Sequence, residues 1–212
     1  MAEHDEGDTS LHGSAPDTHP CALLLIDVIN PFAFPEADDL LRTALPAAHR
    51  LAELKRRAKA ARVPVVYVND NFGKWRSDFR AVVKEAEAEG SKGREVARLL
   101  RPHDDDYFVL KPMHSGFFHS TLELLLRKLN ARQLVLAGFA GNICVVFTAN
   151  DAYLRDFTIF APEDCSASND PEDNAFAFAQ MRKVLKADTS LSTALEFGPK
   201  GVRSASQESP GR

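Results

Sequence analysis

The sequence lacks most of the signatures that assign a chemistry by motif alone. It has no GxGxxG and no GxxxxGK[ST], so neither a dinucleotide site nor a P-loop phosphate site is signalled. HExxH is missing as well, and no histidine or cysteine spacing suits a metal site. The expectation is therefore no cofactor and no metal. Cysteine is scarce: Cys21, Cys144 and Cys165 are an odd number at spacings unlike CxxC, which argues against a disulfide framework. No apolar run approaches the roughly 20 residues that span a bilayer, and the N-terminus lacks a basic-then-apolar leader pattern. An excess of basic charge is absent too. With 26 Lys and Arg against 30 Asp and Glu, the formal net charge is −4, and nothing favours nucleic acid or an anionic membrane as partner. A cytoplasmic location is the expectation these absences leave.

What is present is alternation. At 212 residues and 44% hydrophobic content, the chain is long enough for one well-buried domain. Residues 1–19 and 198–212 are polar and rich in Gly, Pro and Ser without periodicity, and read as disordered tails around a domain at 20–197. Within it, "CALLLIDV", "VPVVYVN", "YFVLK", "RQLVLAGF" and "FTIFAPEDCSAS" read as strands, with "TSLST" as a short sixth. Between them lie helical patterns such as "DDLLRTALPAAHRLAELKRRAKAAR", "STLELLLRKLNA", "NICVVFTANDAYLRDF" and "PEDNAFAFAQMRKVLKAD". Strands and helices in this order imply a parallel sheet covered by helices on both faces. Ligands bind such sheets outside the carboxyl ends of the strands.

That rule makes three residues comparable. Asp27 closes the first strand, Lys111 closes the third, and Cys144 lies just past the fourth. Taken alone, Asp27 reads equally as a functional carboxylate or as a cap or salt-bridge partner, Lys111 as a lysine leaving the sheet for solvent, and Cys144 as a small buried hydrophobe. Placed on one sheet edge, they suit a nucleophilic thiol beside a carboxylate and a cation. With Asn142 as helix cap, Cys144 falls in the first turn, where the helix dipole and a nearby lysine both lower a thiol pKa. His114 and His119 flank "SGFF" and read as pocket or loop residues rather than ligands.

These segments, in this order, resemble the isochorismatase-like cysteine hydrolase superfamily. "LLLIDVINPF" is similar to its aspartate strand. "VLKPMHSGFFHSTLELLLRKLNARQLVLAGF" is similar to its lysine strand, substrate loop, helix and next strand, and "GFAGNICVVFTANDAYLRDF" to its cysteine segment; "APEDCSAS" matches the strand end after that. The resemblance implies a three-layer α/β/α sandwich with a mainly parallel, Rossmann-like sheet and a catalytic triad of Asp27, Lys111 and Cys144. It also implies a cis peptide at Phe139–Ala140, an oxyanion hole from the Ala140 and Cys144 N–H groups, and a homo-oligomer, dimer or tetramer. The reaction it implies is cleavage of a small amide or related C–N bond through a thioester. The nicotinamidase Asp-x-His metal motif after strand two is replaced here by "VNDNFGKW". Phe32, Phe72, Trp75 and Phe117 are candidate aromatic walls of the substrate site. A vinyl ether hydrolase and a catalytically silent binding protein of the same fold are the alternatives.

Overall fold

A computed structural model describes residues 17–73 and 78–204. Its centre is a parallel sheet built from β1 (Cys21–Ile26), β2 (Val65–Asp70), β3 (Tyr107–Lys111), β4 (Gln133–Phe139) and β5 (Thr158–Phe160), in the order β3-β2-β1-β4-β5. A two-residue β6 (Ser166–Ala167) pairs with the end of β4. Helices α1 (Ala37–Ala60), α2 (Phe79–Ala86), α3 (Arg94–Leu99), α4 (Leu122–Lys128), α5 (Val146–Tyr153) and α6 (Pro171–Val184) make the crossovers. The α/β/α sandwich expected from the alternation is the architecture found.

The unbroken apolar run of β1 has its physical cause in this position. As the central strand it is covered on both faces, and every residue from Cys21 to Ile26 is fully buried. Cys21, Leu23 and Leu25 pack into the cluster formed with α1 and α3. Ala22, Leu24 and Ile26 turn into the opposite cluster, which is closed by α4, α5 and α6. The period-two alternation of strand side chains thus divides one short run between two cores.

Three features differ from the sequence expectation. The disordered-tail boundary at 198 fails, because β7 (Leu195–Gly198) and β8 (Gly201–Ser204) form an antiparallel hairpin. The Gln133 side chain holds it by accepting the Val202 N–H (2.8 Å) and donating to the Val202 carbonyl (3.1 Å). His19, placed in the N-terminal tail, is buried instead, with ring nitrogens 3.0 Å from the Cys21 carbonyl and 3.1 Å from that of Gly198. A polar, glycine-rich segment orders here because a half-buried amide supplies its backbone partners, which local periodicity does not reveal. "TSLST" is not a strand; Ser192–Ala194 forms a 3₁₀ turn whose Ser192 is bonded to Asp164. No helix among the described residues is long and apolar enough to cross a membrane.

Candidate active site

Parallel registration brings the strand ends to one edge. Asp70 pairs directly with Lys111 across β2 and β3. Asp27 follows β1, its N–H donating to the Val68 carbonyl at 3.0 Å. Its backbone lies in the left-handed region (φ 52°), a conformation that costs an ordinary residue roughly 1–3 kcal/mol and is met at functional sites. Two bonds offset it: Asp27 Oδ1 accepts the Asp70 N–H at 2.6 Å, and Oδ2 lies 2.8 Å from Lys111 Nζ.

The break after β4 is built differently from a simple capped helix. Gly138, at φ 133°, faces the Ile26 backbone so closely that a Cβ would sit 2.0 Å from its carbonyl oxygen, so only glycine fits. The Phe139–Ala140 peptide is cis, as the resemblance implied. Ala140, rather than Asn142, starts the helix. Its carbonyl accepts N–H groups from Ile143 and Val145, both at 3.1 Å, and Gly141–Val145 winds as one wide π turn before α5. Asn142 gives its N–H to Ser168 Oγ (3.1 Å), and Ser166 Oγ takes the N–H of Gly138 (3.2 Å). The serines of "CSAS" therefore brace the turn that carries the cysteine.

Lys111, Asp27 and Cys144 meet as expected. Lys111 is fully buried; its Nζ donates to the Met113 carbonyl (3.1 Å) and lies 3.6 Å from Cys144 Sγ. The Asp27 carboxylate, bound to the same Nζ, stands close enough to act on the Cys144 thiol. Asp70 Oδ2, 3.5 Å from the same Nζ, is a member that sequence reasoning does not single out, although it closes β2 much as Asp27 closes β1. His114 also reaches the sulfur, its Nδ1 3.9 Å away.

The electrostatics run against one expectation. Burial, and then the Asp27 charge, push the Cys144 thiol up, and the opposing Lys111 does not cancel them. One buried cation facing two carboxylates leaves no room for a third negative charge, so the resting sulfur is a thiol. Burial also raises the Asp27 carboxyl above the usual carboxylate range against the pull of Lys111. Burial works to lower the Lys111 pKa, but the Asp27 and Asp70 carboxylates outweigh it and hold the ammonium charged.

The aromatic candidates separate. Phe32 is core: it packs on Phe34 (ring centroids 6.1 Å) and Phe139 (6.5 Å), because its backbone turns it beneath α1 rather than outward. Phe117 is core as well, buried with Phe157 and lying under the Arg155 guanidinium (4.9 Å). Phe72 is 38% exposed, its N–H held by Asp70 Oδ1 at 2.6 Å. Trp75 lies outside the described residues. Phe72 occupies the third position of "DNF", where the metal motif has its histidine. Among the described residues no cluster of three or more His, Cys, Asp or Glu could hold a metal ion.

Comparison with known proteins accords with this arrangement. The sequence profile of the isochorismatase domain matches residues 21–192. The chain belongs to the isochorismatase family. It is 41% identical over 167 residues to the uncharacterised isochorismatase family protein YaaI of Bacillus subtilis, covering 79% of this chain and 91% of that protein. The ureidoacrylate amidohydrolase RutB of Azorhizobium caulinodans is 28% identical over 204 residues, 83% of this chain and 88% of its own. Among solved structures, N-carbamoylsarcosine amidase from Thermoplasma acidophilum superposes with a TM-score of 0.63 at 28% identity, over 81% of this chain and 96% of that one.

Proposed function

We propose that this isochorismatase-family protein is a cysteine hydrolase that cleaves a small amide or related non-peptide C–N bond through a Cys144 thioester. The observation that carries the reading is Lys111 Nζ standing 2.8 Å from Asp27 and 3.6 Å from the Cys144 sulfur on a buried sheet edge. Relatives named as an amidohydrolase and an amidase support the reaction class.

Asp27 takes the thiol proton as Cys144 attacks the scissile carbonyl, so the thiolate never stands free beside two carboxylates. Lys111 keeps Asp27 ionised until that moment and faces the sulfur as its charge develops. The Ala140 and Cys144 N–H groups hold the oxyanion of the tetrahedral intermediate. Asp27 then returns its proton to the leaving nitrogen, ammonia or an amine departs, and the acyl group stays on sulfur. Water, deprotonated by the same carboxylate, hydrolyses the thioester and restores the thiol. Among the described residues, Phe72 is the aromatic wall that remains for the substrate.

A screen of small primary amides and N-carbamoyl compounds for ammonia release tests this. Turnover by the wild type, its loss in Cys144→Ala, and an acyl adduct on the Cys144 peptide after rapid quenching are expected. Ammonia release that survives Cys144→Ala sinks the covalent mechanism, and cleavage of a vinyl ether without ammonia would move the protein to the other chemistry of the fold.

A further inference from the structure

The His114 side chain lies outside the triad, yet its position is fixed from two directions. On one side the Met113 carbonyl is bound by Lys111 Nζ. On the other, the Gly116 N–H donates to Thr148 Oγ1 (3.0 Å), and that hydroxyl in turn donates to the Cys144 carbonyl (2.7 Å). Gly116 permits this seat, because a Cβ there would meet Val68 at 2.7 Å. Ser115 adds a bond from its hydroxyl to Asp151 at 2.5 Å. The loop is thus pinned to the strand that carries the lysine and to the helical segment that carries the nucleophile.

Between these anchors the imidazole is exposed. It packs against Phe147, one turn beyond Cys144, with ring centroids 5.5 Å apart, and its Nδ1 is 3.9 Å from Sγ. A thiol that turns its proton to the accepting Asp27 carboxylate leaves sulfur lone pairs to face Lys111 and His114. In the tautomer that carries its hydrogen on Nδ1, the ring is a donor at the reacting centre on the solvent side. An oxygen a few bonds beyond the attacked carbon comes within hydrogen-bond reach of a nitrogen so placed.

We propose that His114 is the specificity-determining residue of this site, donating from Nδ1 to an acceptor oxygen on the substrate's acyl part, so that preferred substrates are amides bearing a second carbonyl or carboxylate on the α- or β-carbon. The inference rests on the amidase reading of Cys144 but is tested apart from it. Two amides of one shape, acetoacetamide and 3-methylbut-3-enamide, differ only in a carbonyl against a methylene. The wild type favours acetoacetamide in kcat/KM. In His114→Leu that preference falls about three- to tenfold, the size of one neutral hydrogen bond, and His114→Asn, which returns an N–H near the place of Nδ1, restores part of it. A preference unchanged in His114→Leu overturns the proposal.

If neither amide is hydrolysed, the amidase reading is in difficulty, and alkylation decides the role of His114. The ratio of Cys144 labelling by iodoacetamide to labelling by allyl iodide, read by peptide mass spectrometry, falls by a similar factor in His114→Leu if the donor acts as proposed. An equal ratio in the two proteins overturns it.

Discussion

Two buried lysines of this protein sit among carboxylates in contrasting settings. Lys55, on α1, gives its three hydrogens to oxygens: Tyr67 Oη (2.7 Å), the Arg101 carbonyl (2.9 Å) and Asp106 (2.7 Å). Lys59 reaches the same Asp106 at 2.7 Å, and Tyr67 passes its own proton to the Leu100 carbonyl. Cations and carboxylates are matched there, and burial lowers the Lys55 pKa more than its partners raise it. Among the described residues Lys111 faces two carboxylates with no second cation, and a sulfur stands 3.6 Å from its Nζ. Its pKa is raised. A closed network of oxygens stabilises a structure, whereas an unbalanced one with a soft, ionisable atom left in reach can move a proton.

The largest test of this contrast is Cys144→Ala, expected to reduce ammonia release by about 10⁴-fold or more while the protein melts close to the wild-type temperature. The two lysines are then exchanged for methionine in turn. Lys111→Met is expected to lose about 10²–10³ in kcat/KM, the size of one preorganised electrostatic contact. Lys55→Met strips a partner from buried Asp106, costing roughly 3 kcal/mol and lowering Tm by about 6–12 °C, with kcat/KM of the folded protein within about threefold. If Lys55→Met silences the enzyme as fully as Lys111→Met, the comparison breaks.

The pH profile sharpens it. In the proposed mechanism Asp27 must be ionised to accept the thiol proton, and its pKa is raised by burial. The acid limb of kcat/KM therefore lies above the ordinary carboxylate value of about 3.9, with activity lost as pH falls through it. Lys111 attraction lowers that pKa, so residual activity of Lys111→Met should show a limb displaced further upward. A limb near the ordinary value in the wild type would remove Asp27 from the role of base.

The smallest effect expected is at Asp70. Asp70→Asn keeps an acceptor for the Phe72 N–H and removes one of two negative charges beside Lys111. The thiol pKa then falls, and Cys144 labels with iodoacetamide a few-fold faster at pH 8 than in the wild type, roughly the effect of half a pKa unit. Slower labelling would show that charge balance at Lys111 does not govern the sulfur.

The strand ends are legible in the sequence because they are local. A short apolar run that stops at Asp27, another that stops at Lys111, and a strand that breaks at "GFAGN" place three groups on one edge by pattern alone. Asp70 ends its strand in the same way but does not stand out, since an acid followed by "NFG" also reads as a turn. The aromatic residues mislead for a different reason. Phe32 and Phe117 stand in loops beside the site, and whether such a ring faces a pocket or a core depends on neighbours distant in sequence, Phe139 for one and Phe157 for the other.

The sequence by itself determined the parallel sheet, its two-sided burial and the meeting of Asp27, Lys111 and Cys144, because period and strand ends follow from backbone geometry along the chain. Only the tertiary structure decided that Cys144 rests as a thiol, that Asp70 joins the cluster, that His114 is held at the sulfur and that residues 198–204 close a hairpin on Gln133. Desolvation, charge balance and the pairing of a loop's backbone are sums over groups that the chain brings together only when it folds.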